Sequence, residues 1–162
     1  MVHKDRRDLA QTAYGPTWLK DDRVAGKVAE NLHRLNGDAY RLDAYSIMSN
    51  HVHTVFKPHI SESDFLKLNG DEEFLLSTDS SALSKIMHSL KGRSARECNL
   101  LLGRFGTFWE HESFDRVIRS GKFDQTIRYV LNNPVKAGLV LEWEEGRWNY
   151  CREELINGFR KK

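Results

Sequence analysis

YRLDAYSIMSNHVHTVFKP, residues 40–58, is the stretch on which the reading of this chain turns. Tyr40 to Met48 is rich in aromatic and aliphatic residues, Ser49-Asn50 is a turn signal, and His51 to Phe56 is a second short run closed by Pro58. Two such runs around a turn predict an antiparallel hairpin. In a strand, residues i and i+2 share a face, so His51 and His53 point together while Val52 points back to the core. Two converging imidazoles are a candidate metal site, although an HxH string by itself more often marks two polar residues on a solvated strand. Two other metal chemistries find no support in the flanks. A binuclear HxHxD site needs an acid where Val55 stands, and Thr54 to Pro58 offers no cupin-like glutamate.

Upstream, Val24, Val28, Leu32 and Leu35 recur at helical spacing, which predicts a helix over Asp22–Leu35 with Asn36-Gly37 as its stop. The first twenty or so residues show neither period and read as an irregular lead-in. Downstream, Ile60 to Ser80 is acidic and polar and reads as a surface loop with room for a short helix. Ser81 to Leu102 carries Leu83, Ile86, Met87, Leu90, Cys98, Leu101 and Leu102, a second helix expected to loosen at Gly92. LGRFGTF is a glycine-punctuated linker into Trp109. Phe123, Ile127, Val130 and Leu131 predict a third helix, ended or kinked at Pro134 because the ring clashes with the carbonyl four residues earlier. The tail reads as packing segments around Trp143 and Trp148.

At 162 residues, 40% hydrophobic and 30% charged, the composition is that of one globular domain. No apolar run is long enough for a membrane helix. MVHKDRRDLAQ has no apolar core of a secretory signal, so a cytoplasmic protein with Cys98 and Cys151 as reduced thiols is expected. The formal charge of +2 does not announce a nucleic-acid partner, but its distribution is uneven. Between Ser80 and Trp109 stand Lys85, Lys91, Arg93, Arg96 and Arg104 against Glu97 alone, five cations less one acid, or about +4. Such a helix could follow a phosphate backbone; a solvated face explains the charge equally well.

A further candidate is Tyr129 in IRYVLNNP, with Asn133 one helical turn later on the same side. A tyrosine on an amphipathic helix is more often a core residue whose hydroxyl reaches the surface. As a nucleophile it needs help, because a phenol with a pKa of about 10 is mostly protonated at neutral pH. A divalent cation that polarises the target phosphate, or favours phenolate, is the usual form of that help.

Taken together these strings resemble a known family. IMSNHVHTVFKP resembles the HUH motif (histidine, bulky hydrophobe, histidine) of single-tyrosine transposases, and FWEHESFDRVIR followed by IRYVLNNPVKAGLV is similar to the downstream signature of the REP-associated tyrosine transposases. The resemblance covers roughly Tyr14 to Cys151. It implies a single α+β domain of the ferredoxin-like HUH type, with an antiparallel sheet and helices packed on one face. It implies that His51 and His53 hold a divalent metal, magnesium or manganese, that Asn133 completes the metal site, and that Tyr129 is the nucleophile. The reaction implied is nicking and joining of single-stranded DNA through a 5′-phosphotyrosine, on hairpin DNA, with the helix of Lys91, Arg93 and Arg96 lying along the strand.

The chain departs from the family pattern in two places. Ser49 stands where relatives commonly have proline, which alters the turn. Relatives open with an apolar strand before the first helix, and MVHKDRRDLAQTAYGP contains none, so a sheet lacking its first strand is expected. Trp109, Glu110 and His111 fall in the family's aromatic segment without an assigned role, Trp109 being expected in the core. The competing reading is a non-catalytic nucleic-acid-binding domain of the same fold. A structural zinc site using the histidines with Cys98 or Cys151 ranks last, for want of closely paired cysteines. The reading leaves monomer and homodimer open.

Overall fold

The computed structural model describes residues 15–59, 82–111 and 118–160. The expected acidic loop after Ile60 and any strand before residue 15 lie outside these. In order come a 3-10 turn at Trp18–Lys20, helix α1 (Asp22–Arg34), strands β1 (Tyr40–Ile47) and β2 (Val52–Pro58), and helix α2 (Ala82–Leu101). They are followed by helix α3 (Phe123–Leu131), the single turn α4 (Asn133–Lys136), a 3-10 turn at Trp143–Glu145, strand β3 (Asn149–Cys151) and helix α5 (Glu153–Arg160). No helix among the described residues is long and apolar enough to cross a membrane.

Helix α1 begins at Asp21, whose carboxylate accepts the backbone N–H of Arg23 at 2.9 Å. It ends at Arg34, and in the turn that follows Gly37 adopts a φ of 96°, a conformation that favours glycine. Helix α2 runs unbroken through Gly92, against the expected loosening there. Ile86, Leu90, Ser94 and Cys98, spaced by four, form a buried stripe, whereas Gly92 lies on the exposed side. The propensity cost of one exposed glycine, about 1 kcal/mol, is outweighed by that packing. Trp109 belongs with this layer, as expected: its indole N–H donates to Ser94 Oγ at 2.8 Å.

The three-stranded sheet has the order β2-β1-β3, all antiparallel. The hairpin is the one expected, but the third strand comes from the tail, which shows no strand period of its own. Within β1 the register against β2 jumps between Leu42 and Ala44, leaving Asp43 as the extra residue of a bulge. The bulge changes the parity of the strand. Tyr40 and Leu42 before it share a face with Tyr45 and Ile47 after it, in one buried cluster with α1 and α2. Ala44 faces the other way, with Val55 and Cys151, into a second cluster with Ile127, Val130 and Leu131 of α3.

Helices therefore cover both faces of the sheet, α1 backed by α2 on one and α3 on the other. This corrects the expectation of helices on one face. The physical reason is that β1 is buried along nearly its whole length, Leu42 to Ile47 included, and a central strand buried on both sides requires a layer on each. The Asp43 side chain, 1% exposed, pairs with Arg152 Nε and Arg41 Nε, each at 2.9 Å, so the end of β3 is pinned to the bulge. On the opposite side Trp148 packs so closely on α1 that a Cβ at Gly26 would come within 3.1 Å of its ring.

Candidate functional site

His53 lies in β2 opposite Ser46, and Val55 opposite Ala44, so His53 shares the face that α3 covers. His51 stands one residue before β2, where its carbonyl still accepts the Met48 N–H at 2.9 Å and so extends the strand's alternation, and Val52 between the histidines packs toward the α1 cluster. Strand parity thus brings the imidazoles together as the sequence predicts: His51 Nε2 and His53 Nε2 are 3.1 Å apart. Asn50 Oδ1 lies 2.7 Å from His51 Nδ1, where it accepts the ring N–H and leaves the lone pair of His51 on Nε2. In that tautomer His53 donates its Nε2–H to His51.

Burial lowers the pKa of His51, and burial together with the neighbouring His51 brings His53 down from 6.5 to about 4. Both rings are therefore neutral at pH 7, as metal ligation requires. With the His53 proton moved to Nδ1, two Nε2 atoms about 3 Å apart match neighbouring ligand positions around one ion with bonds of about 2.1 Å. The donor set fits a single divalent cation. Among the described residues no group of three or more His, Cys, Asp or Glu gathers around a common point, so further ligands would be carboxamide, water or substrate oxygen.

Helix α3 places Tyr129 over this pair. Ile127, Val130 and Leu131 are buried against Ala44, Val55 and Cys151, which turns Tyr129 to the edge of the helix, where it is half-buried. Its ring meets His53 edge to face, with centres 5.9 Å apart and planes at 81°. Asn133, one turn further, donates from Nδ2 to the carbonyls of Tyr129 (2.8 Å) and Val130 (3.2 Å). That commits its nitrogen to the helix and leaves Oδ1 as the atom able to ligate. Lys136, in the turn that Pro134 starts, lies over the Tyr129 ring with Nζ 4.5 Å from its centre.

The basic residues of α2 are arranged differently. At 100° per residue Arg93 and Arg96 stand about 60° apart, while Lys91 lies about 140–160° away from both. Lys91 Nζ donates to the carbonyls of Glu110 (2.7 Å) and His111 (3.3 Å), clamping the segment that follows the helix. Arg93 pairs with Glu97 at 3.1 Å, and Arg96 is exposed. The stripe that buries α2 joins the α1 cluster, across the sheet from the face that carries His53. The cations expected to share one DNA track therefore divide into a loop clamp and an exposed pair, away from the histidines.

Cys98 and Cys151 are buried free thiols in different clusters, each raised by burial to about 11. Sequence reasoning missed two members of the site, Asn50 and Lys136. Asn50 was legible only as a turn residue. Lys136 carries a usable signal, since seven residues after Tyr129 is two helical turns on the same side. Comparison of the chain with family models, with curated proteins and with solved structures finds no match.

Proposed function

We propose that this chain is a metal-dependent enzyme that nicks and rejoins single-stranded DNA, on a hairpin substrate, through a tyrosine-linked 5′-phosphate. One observation carries the reading: two neutral imidazoles face each other at 3.1 Å, and the only phenol in contact with them among the described residues is that of Tyr129, 5.9 Å from His53 centre to centre. His51 and His53 would hold one magnesium or manganese ion, with Asn133 Oδ1 as a further oxygen donor. When bound, such an ion supplies Lewis-acid polarisation of a phosphate oxygen.

The rest falls to the side chains. Tyr129 Oη forms a bond to phosphorus and gives up its proton to solvent. The bond from phosphorus to the 3′-oxygen breaks, and that oxygen takes up a proton as it leaves. Rejoining is the reverse, with a 3′-hydroxyl displacing Tyr129, so the phosphoester bond is conserved and no nucleotide cofactor is consumed. Asn50 holds the His51 ring in the tautomer that presents Nε2, and the buried side of α3 keeps Tyr129 at the histidines.

A labelled single-stranded hairpin incubated with the protein and manganese should yield an adduct that survives denaturation. Tyr129→Phe should abolish the adduct while leaving DNA affinity and thermal midpoint nearly unchanged, because the ring and its packing remain. An adduct that persists in the phenylalanine variant would overturn the assignment. A second reading, a binding domain of this fold without turnover, is favoured by the hydrogen bond between the two imidazoles, which occupies both Nε2 atoms without an ion. It predicts hairpin binding with no adduct at any manganese concentration.

A further inference from the structure

We propose that Lys136 holds the target phosphate of single-stranded DNA against Tyr129, which makes it a phosphate-binding member of this site. The inference deepens the nicking reading above and rests on it for the identity of the phosphate. The Tyr129 ring has His53 near it and the Lys136 ammonium 4.5 Å from its centre. Lys136 is exposed and, among the described residues, no carboxylate pairs with it. Arg93 and Arg152, by contrast, are already engaged by Glu97 and Asp43.

The local chain explains why the lysine is there. Helix α3 stops at Leu131, and Pro134 restarts the chain as the one-turn α4. The backbone N–H of Lys136 donates to Asn132 O at 2.9 Å, which keeps the turn close to helical and returns Lys136 to the side of Tyr129. An ammonium on a flexible stem suits a phosphodiester, since it can follow the anion as charge builds up around phosphorus. Stacking on the ring alone would require only a cation or an apolar chain packed on Tyr129; holding phosphate requires the charge.

The test separates those roles by working first without chemistry. In the Tyr129→Phe protein, affinity for a six-nucleotide single strand and for the hairpin is measured across a salt series, with and without Lys136→Met. Methionine keeps the apolar stem against the ring. Loss of one phosphate contact should weaken binding about 5- to 10-fold and lower the slope of log affinity against log salt by about 0.7. Lys136→Arg should restore both, and in the tyrosine protein Lys136→Met should slow adduct formation about 100-fold. Thermal midpoints check folding, with Lys136→Gln replacing the methionine variant if that one is destabilised.

Unchanged affinity and slope would overturn the inference, and if the adduct still formed, the nicking reading would stand without it. A Lys136-dependent slope with no adduct in the tyrosine protein would leave the phosphate anchor and remove the nicking reading. Failure to bind either DNA would remove both.

Discussion

The ring of Tyr129 meets the imidazole of His53 edge to face at 5.9 Å between centres, and this contact joins strand β2 to a helix more than seventy residues later in the chain. Two separate registers make it. The pairing of His53 with Ser46 sets the depth of the imidazole along the sheet, and the burial of Ile127, Val130 and Leu131 sets the rotation of α3. A change in either moves the phenol relative to the histidines, so the site is a property of the packed sheet and helix together.

Manganese titrated into the purified protein should bind at one ion per chain, and weakly, because two imidazoles and oxygen donors without a thiolate make a loose site. His53→Ala should leave the fold intact while removing both the bound manganese, read by its paramagnetic signal, and any cation-dependent cleavage. Stoichiometric zinc that resists chelators would count against the nicking reading.

Stability should fall as the solution is acidified, in a window set by His53. Its folded pKa, about 4, lies below the ordinary 6.5, so between these values the unfolded chain takes up a proton that the folded one refuses. The neutral ring's contribution is full above about pH 6.5, declines as pH falls toward 4 and is lost below. At roughly 1.4 kcal/mol per pKa unit, this amounts to up to about 3 kcal/mol, less whatever solvent screening removes. The lowered pKa of His51 acts in the same direction. Urea midpoints from pH 7 to pH 4 in the native protein and in His53→Gln provide the check; equal pH dependence in the two would contradict the burial argument.

Substitutions in α2 should separate by role. Arg93→Glu with Arg96→Glu should weaken single-stranded DNA binding and flatten its salt dependence if this exposed pair meets phosphates. Lys91→Ala should act instead on the fold, lowering stability by about 1 kcal/mol through loss of the two carbonyl contacts at Glu110 and His111. Proteolysis at the segment after Phe108 would report it. DNA binding and salt slope unaffected by the double reversal would return this face to a solvated surface.

Much of the architecture was legible because it is encoded in local period. The α1 spacing, the hairpin turn at Ser49-Asn50, the α3 spacing and the break before Pro134 all appear where pattern places them. His51 and His53 converge for the same reason, since i and i+2 parity in a strand is a matter of backbone geometry alone. The continuity of α2 was not legible, because glycine propensity is local while the stripe of Ile86, Leu90, Ser94 and Cys98 gains its stability from contact with α1. Strand β3 was not legible either: three residues carry too little alternation, and Asn149–Cys151 become a strand only by pairing with Ala44, Tyr45 and Ser46.

The sequence by itself determined which residues could do chemistry: two histidines of like parity, and a tyrosine with an asparagine one turn on. Tertiary structure decided which candidates distant from one another in the chain meet. The bulge at Asp43 reverses the parity of β1 and lets the sheet carry a helix layer on each face, with α3 and Tyr129 on the side of the histidines and α2 with its arginines on the other. A bulge costs one ladder position and is held here by a buried carboxylate with Arg152 more than a hundred residues away. No window of local sequence contains both partners, so the division of the candidate residues between the two faces could emerge only from the folded chain.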